Sequence, residues 1–213
     1  MGAQSGDRDR SAKEKGATSP GSVPFSVFLT GATGFVGSAL TRAWIEKGVA
    51  LHALVLPGEE PELPDGVTTY SGDVGDAVAV KAAVERARPA CVMHLAAVGV
   101  GTPTLSYQEA SRVNVSGVNH ILAAIRGNSA VERVVLVGDA QEYGERRSDD
   151  GLDPSNAYSA SKAAGWAFAR AAYNAWAAPI VWVRPFQVYG PGQPFRAMIP
   201  AAIIAALSGD DFE

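Results

Sequence analysis

Short apolar runs alternate with longer amphipathic stretches along the chain from residue 23 onward. The apolar runs are rich in β-branched residues and predict six strands, at 25–30, 50–56, 67–72, 90–96, 133–138 and 180–185. The amphipathic stretches predict four helices, at 35–47, 76–88, 104–126 and 156–177, each closely followed by a Gly or Pro. Apolar strands that alternate with helices are typical of a parallel sheet covered on both faces. The pattern therefore predicts an α/β fold with a doubly wound parallel sheet.

Composition narrows the class of protein. The chain is 47% hydrophobic and 19% charged, as expected for a globular domain, which we place at 23–213 after a polar, disordered tail at 1–22. A formal net charge of −4 without clustered basic residues argues against nucleic acid as a partner. The sequence has neither a secretory signal nor a long apolar run, and its single Cys91 reads as a core residue. We therefore expect a cytoplasmic protein with no membrane partner.

A glycine-rich turn joins the first predicted strand to the first predicted helix, in the sequence TGATGFVG at 30–37. Gly31 suits a tight turn, Gly34 lets the backbone approach a pyrophosphate, and Gly37 allows close packing of helix on strand. The N-terminus of the helix adds unpaired N–H groups and a positive dipole end. The turn therefore predicts a site for a dinucleotide, NAD or NADP.

A second feature, in the sequence NAYSASK, places Tyr158 and Lys162 four residues apart on one helix face. A Tyr phenol is a poor base at neutral pH unless a neighbouring cation stabilises its phenolate. The pair is therefore a candidate for proton transfer to or from a substrate oxygen.

The motifs taken in order resemble the extended short-chain dehydrogenases/reductases, a family of Rossmann-fold epimerases, dehydratases and ketoreductases of sugar nucleotides. The matching stretches are TGATGFVG, GDV, HLAA, NVSG, EYG, YSASK and RPFQVYGPGQ, between residues 30 and 193. The resemblance implies that Tyr158 and Lys162 are the catalytic acid/base pair, and that the substrate is a nucleotide-linked sugar. Together with the glycine turn it implies a cofactor-binding set of Gly31, Thr33, Gly34, Phe35, Val36, Gly37, Asp73, Val74, Leu95, Ala96, Ala97, Tyr158, Lys162 and Pro185.

The chain departs from the family pattern where members place a catalytic Ser or Thr, because Asp139 stands there. An ionised Asp139 would raise the pKa of Tyr158, whereas a protonated one could donate a hydrogen bond to the substrate oxygen, which is the role we expect. Ala140 and Gln141 replace the acidic residues of the dehydratases, which argues against dehydration and for 4-keto reduction or epimerisation through a ketone. The alternative is a degenerate cofactor-binding protein without turnover.

Several features leave choices open or imply little chemistry. Val55 and Leu56 stand where a carboxylate would select NAD, and Glu59 and Glu60 follow shortly after, so NAD and NADP remain alternatives. His94 lacks other metal-ligating residues at ligand spacing and reads as a core imidazole, so no metal site is expected. The resemblance also implies that most of a C-terminal substrate subdomain is missing, and that helices 104–126 and 156–177 form a homodimer interface.

Overall fold

The computed structural model describes residues 25–57, 63–102, 104–145 and 151–212. Within these ranges six strands form one sheet in the order β3-β2-β1-β4-β5-β6, and every neighbouring pair is parallel. The strands are β1 Ser26–Thr30, β2 Ala50–Val55, β3 Val67–Ser71, β4 Cys91–His94, β5 Arg133–Val137 and β6 Ile180–Val183. This order confirms the doubly wound fold. The predicted tail at 1–22, and Glu59 and Glu60, lie outside the described residues.

The described helices are α1 Phe35–Glu46, α2 Ala77–Ala87, α3 Tyr107–Ala110, α4 Ser116–Ile125, α5 Ala157–Trp176 and α6 Met198–Ser208. The single helix predicted at 104–126 is wrong in detail, because a π-helical segment at Ser111–Val115 separates α3 from α4. It also begins later than predicted, where the Ser106 side chain accepts the N–H of Glu109 and so caps α3. The sequence analysis identified no helix at α6, which is apolar on all sides and has no buried residue.

The core lies in two layers, one on each face of the sheet. Alternate β1 residues supply both layers, since Phe28 faces α2, α4 and α5 whereas Val27 and Leu29 face the side packed by α1. Cys91 is buried in the second layer, which confirms its expected core position. Because β1 and β4 are neighbours at the centre, the connections leaving them diverge and create a crevice at the carboxyl edge of the sheet.

Candidate functional site

The turn after β1 has almost no room for side chains at two of its three glycines. Gly31 has a φ of +72°, and a Cβ there would lie 2.7 Å from the backbone nitrogen of Ala96. A Cβ on Gly37 would overlap the carbonyl of Gly31. In contrast, a Cβ on Gly34 would meet only the carbonyl oxygen of Gly31, at 3.3 Å. Gly31 and Gly37 therefore serve the packing of the turn, while Gly34 is more exposed and a Cβ there would make a single tight contact.

Gly34 also begins α1, and no side chain caps that helix. The first N–H groups of an uncapped helix need an external acceptor, which water or a phosphate oxygen can supply. Thr33, Gly34 and Val36 are exposed around this end of α1, and Phe35 is half-buried beside them. The turn therefore has the bare, donor-rich surface that a pyrophosphate requires.

A buried hydrogen-bond relay connects β1 to the segment after β4. The Thr30 hydroxyl accepts the N–H of Ala96 at 3.2 Å and lies 2.7 Å from Nδ1 of His94. Burial, reinforced by the charge of Lys162, lowers the pKa of His94 to about 3, so this imidazole is neutral at neutral pH. Its role is that of a satisfied core residue, as expected, and it helps fix Leu95, Ala96 and Ala97 beside the glycine turn.

Asn114 belongs to the site although the sequence analysis gave it no role. Its side chain accepts the N–H of Val98 at 2.9 Å and donates to the Val98 carbonyl at 3.0 Å and to the Ser161 hydroxyl at 2.8 Å. This amide lies in the π-helical segment and is 2% exposed. It ties the segment after β4 to α5. A polar amide inside an otherwise apolar run, VNVSGV, is the signal that could have identified it.

The structure brings together the three residues expected to act in catalysis. Tyr158 and Lys162 lie in the first turns of α5 and are each 7% exposed. The Tyr158 hydroxyl donates to Oδ2 of Asp139 at 3.3 Å. The Lys162 ammonium donates to the carbonyl of Val137 at 2.9 Å and lies 5.7 Å from the centre of the Tyr158 ring.

Burial perturbs both members of the Tyr–Lys pair. It raises the pKa of Tyr158, and the negative charge of Asp139, its hydrogen bond and the charge of Glu142 act in the same direction. Burial lowers the pKa of Lys162 to about 8, although Asp139 and Glu142 partly oppose this effect. At neutral pH the site therefore holds a phenol beside a predominantly charged ammonium.

Asp139 is oriented by its own turn. Oδ1 accepts the N–H of Gln141 at 2.8 Å, at the start of a 3₁₀ turn at Ala140–Tyr143, while Oδ2 accepts the Tyr158 hydroxyl. Both oxygens of the Asp139 side chain thus have a hydrogen-bond partner in the site.

The remaining predicted residues lie directly after strands. Asp73 follows β3. Partial burial acts to raise the pKa of its carboxyl, but hydrogen bonds from Gly75 and Arg112 have the larger effect, so the pKa is lowered. Val74 is buried next to it, and Pro185 follows β6, where its carbonyl accepts the N–H of Ala140. Since parallel strands end at one edge of the sheet, these segments share an edge with the glycine turn and with Asp139.

Among the described residues, the end of β2 offers no carboxylate. Val55 is buried, Leu56 is 43% exposed, and Pro57 ends this described range. Elsewhere in the described ranges, no group of three or more His, Cys, Asp or Glu residues is arranged to hold a metal ion. None of the helices in those ranges is both long and apolar enough to cross a membrane.

The sequence of this chain is similar to those of known proteins. The model of the NAD dependent epimerase/dehydratase family matches residues 27–213. The dTDP-glucose 4,6-dehydratase of Neisseria gonorrhoeae is 30% identical over 209 residues, which cover 86% of this chain and 60% of that protein. UDP-glucuronate 4-epimerase 3 of Arabidopsis thaliana is 28% identical over 192 residues, 81% of this chain and 45% of that protein.

A solved structure is similar to this chain in fold. The Bordetella bronchiseptica enzyme WbmG in complex with NAD superposes with a TM-score of 0.78 at 25% identity, covering 91% of this chain and 63% of that one. The chain thus spans less than two thirds of each of these relatives. The family match extends over nearly all of the described sheet and site, and the chain belongs to the NAD-dependent epimerase/dehydratase family.

Proposed function

We propose that this chain acts on a nucleotide-linked sugar in an NAD- or NADP-dependent reaction, by reduction of a 4-keto group or by epimerisation through a transient ketone. The observation that carries the proposal is the contact of Tyr158 with Asp139, one helical turn from Lys162, at the edge of the sheet that also holds the glycine turn. The relatives named for dTDP-glucose and UDP-glucuronate support a nucleotide sugar as the substrate class.

The residues of the turn fit a dinucleotide. Gly34 would let the pyrophosphate approach the backbone, and the uncapped N–H groups of α1 would bind its oxygens. Asp73 and Val74 would border the adenine, and Leu95, Ala96 and Ala97 would line the nicotinamide. Bound NAD or NADP supplies the hydride acceptor or donor. With Val55 and Leu56 at the end of β2, the described residues there neither repel nor attract a 2′-phosphate, so both cofactors are candidates.

The protonation of Tyr158 favours reduction over epimerisation. Reduction of a ketone needs an acid at the carbonyl oxygen, and Tyr158 retains its proton at neutral pH because burial and Asp139 raise its pKa. Epimerisation through a ketone needs the same residue to act first as a base, which this environment opposes. Asp139 orients the Tyr158 hydroxyl and, when protonated, would itself donate to the substrate oxygen.

Dehydration is the less favoured reaction even though dehydratases are among the relatives. Ala140 and Gln141 lack the carboxyl groups needed to remove water across the sugar ring. Two carboxylates flank them in sequence. Asp139 contacts the Tyr158 hydroxyl, whereas Glu142 is 0% exposed and pairs with Arg184, so Glu142 is not available to a substrate.

A direct assay tests the proposal. The protein is incubated with 4-keto sugar nucleotides and NADH or NADPH, and with the corresponding 4-hydroxy sugars and NAD or NADP, while nicotinamide absorbance and product configuration are followed. A reductase consumes reduced cofactor in proportion to product, whereas an epimerase inverts the sugar without net consumption. Tyr158→Phe is the control, because it removes the acid while it keeps the ring.

A second candidate is a cofactor-binding protein without turnover. Asp139 favours this candidate. Its carboxylate stands where family members have a neutral Ser or Thr hydroxyl, and its negative charge disfavours the Tyr158 phenolate. Binding of NAD or NADP without any turnover of the sugar panel would support this candidate and contradict the first.

A further inference from the structure

Asp139 is held in place by a carboxylate that is itself fully buried. Glu142 lies in the 3₁₀ turn and is 0% exposed. Its Oε1 accepts the backbone N–H of Asp139 at 2.8 Å, and its Oε2 accepts Nε of Arg184 at 2.7 Å. One side chain therefore joins the segment after β6 to the residue that contacts Tyr158.

Close packing restricts this carboxylate and its cation. A Cβ on Gly138 would overlap the Glu142 carboxylate and the Trp182 indole, so only glycine permits their approach. The Arg184 guanidinium lies over Trp166, 4.8 Å from its ring centre, and over Tyr143, 5.2 Å from its ring centre. These aromatic contacts fix the direction from which Arg184 meets Glu142.

Stability alone does not explain a buried pair of this kind. Removing two charges from water is costly, and well-packed apolar residues of similar size often serve the free energy of folding equally well. What apolar residues cannot supply is an oriented acceptor for the Asp139 N–H. With that N–H bound to Glu142 and Oδ1 bound to Gln141, the second oxygen of Asp139 turns towards Tyr158.

We propose that the Glu142–Arg184 pair is a positioning device that holds the Asp139 carboxylate against the Tyr158 hydroxyl. The inference rests on the proposed function for its catalytic meaning. The positioning of Asp139 can be tested without turnover, because the orientation of Asp139 also determines the electrostatic environment of Lys162.

The pKa of Lys162 reports this orientation. Burial lowers it to about 8, within reach of NMR titration of the labelled lysine side chain, and the charge of Asp139 acts to raise it. Asp139→Asn removes that charge and should lower the Lys162 pKa further. The size of this effect measures how closely Asp139 is held to the site.

The experiment is a double-mutant cycle on the Lys162 pKa. Asp139→Asn is introduced into the wild type and into the variant Glu142→Leu/Arg184→Met, whose apolar side chains replace the pair. If the pair positions Asp139, the pKa change caused by Asp139→Asn shrinks by about half or more in the second background. Lys81→Met/Glu85→Leu removes an exposed ion pair of α2 and is the matched control, in which the full change is expected.

An equal effect of Asp139→Asn in both backgrounds overturns the proposal, since Asp139 would then keep its place without the pair. Glu142→Gln covers the case in which the apolar variant fails to fold, because it keeps the shape of the side chain but replaces one of the two acceptor oxygens with an NH2 donor and so breaks the pair with Arg184. In Glu142→Gln the Asp139→Asn effect should also shrink, and an effect of wild-type size contradicts the proposal.

Activity then separates the two proposals. With the substrate found in the panel, Glu142→Leu/Arg184→Met should reduce kcat about tenfold or more with little change in cofactor affinity. If the wild type turns over none of the panel, the proposed function fails, and the pKa cycle still decides whether the pair positions Asp139.

Discussion

Gly34→Val tests the dinucleotide site with less disturbance of the turn than a substitution at Gly31 or Gly37. A Cβ on Gly34 would lie 3.3 Å from the carbonyl oxygen of Gly31, so we expect a small shift of that carbonyl and a fold that survives the substitution. The branched side chain would occupy the surface against which the pyrophosphate must lie. We expect cofactor affinity to fall about a hundredfold, equivalent to about 2.7 kcal/mol of lost binding free energy.

The effect can be measured as stabilisation by cofactor. At a concentration of about 100 Kd, a ligand that binds only the native state stabilises it by about 2.7 kcal/mol. For a domain of this size that raises the melting temperature by about 5–10 °C. At the same concentration a hundredfold weaker variant gains only about 0.4 kcal/mol, or about 1 °C.

Gly37→Ala is the control, because its Cβ would overlap the Gly31 carbonyl and should lower the melting temperature even without cofactor. Gly34→Ala adds the Cβ alone and should lie between the wild type and Gly34→Val in cofactor affinity. A Gly34→Val protein that keeps the full stabilisation by NAD and NADP would refute the assignment of the turn. A large loss of melting temperature without cofactor would refute the expectation that the fold survives Gly34→Val.

Three further predictions concern Lys162, Asp139 and α5. Burial lowers the pKa of Lys162 from 10.5 to about 8, so the unfolded chain binds more protons between these values. The stability contributed by this residue should therefore rise with pH from about 8 to 10, by up to about 3 kcal/mol, and Lys162→Met should abolish the rise in denaturant titrations. Asp139→Ala should lower kcat about a hundredfold with unchanged cofactor Kd, and unchanged turnover in steady-state assays would exclude a catalytic role. The chain should form a homodimer through α4 and α5, because Phe168 of α5 is 49% exposed. Light scattering should show that Phe168→Arg dissociates the dimer, whereas Val78→Arg on α2 does not.

Local patterns in the sequence were sufficient for the fold class and for two parts of the candidate site, the glycine turn and the Tyr158–Lys162 pair. Apolar runs alternating with amphipathic stretches predict parallel strands, and parallel strands place the residues that follow them at one edge of the sheet. For this reason Gly31 could be assigned to a dinucleotide site from its place after the first strand, whereas the roles of Asp73, Ala96 and Asp139 were expected from the family resemblance. The spacing of Tyr158 and Lys162 likewise predicts one face of a helix, since α5 is regular there.

Other features depend on contacts between residues distant in sequence. The π-helical segment at Ser111–Val115 interrupts a predicted helix where Asn114 reaches Val98 and Ser161, and no local periodicity contains that information. Glu142 looks like an ordinary surface acid until β6 brings Arg184 to it, 42 residues further along the chain.

The chemistry of Asp139 was also left open by sequence alone. Its residue type allows either a carboxylate that raises the pKa of Tyr158 or a neutral donor, and the choice depends on its hydrogen-bond partners. Packing of the 3₁₀ turn against α5 brings Oδ2 of Asp139 to the Tyr158 hydroxyl, while Oδ1 accepts the N–H of Gln141 within the turn. Sequence determines which groups are present and on which element they lie, because these follow from local backbone periodicity. Burial and the pairing of charges arise only when the elements pack together, and they set the pKa values on which the proposed reaction depends.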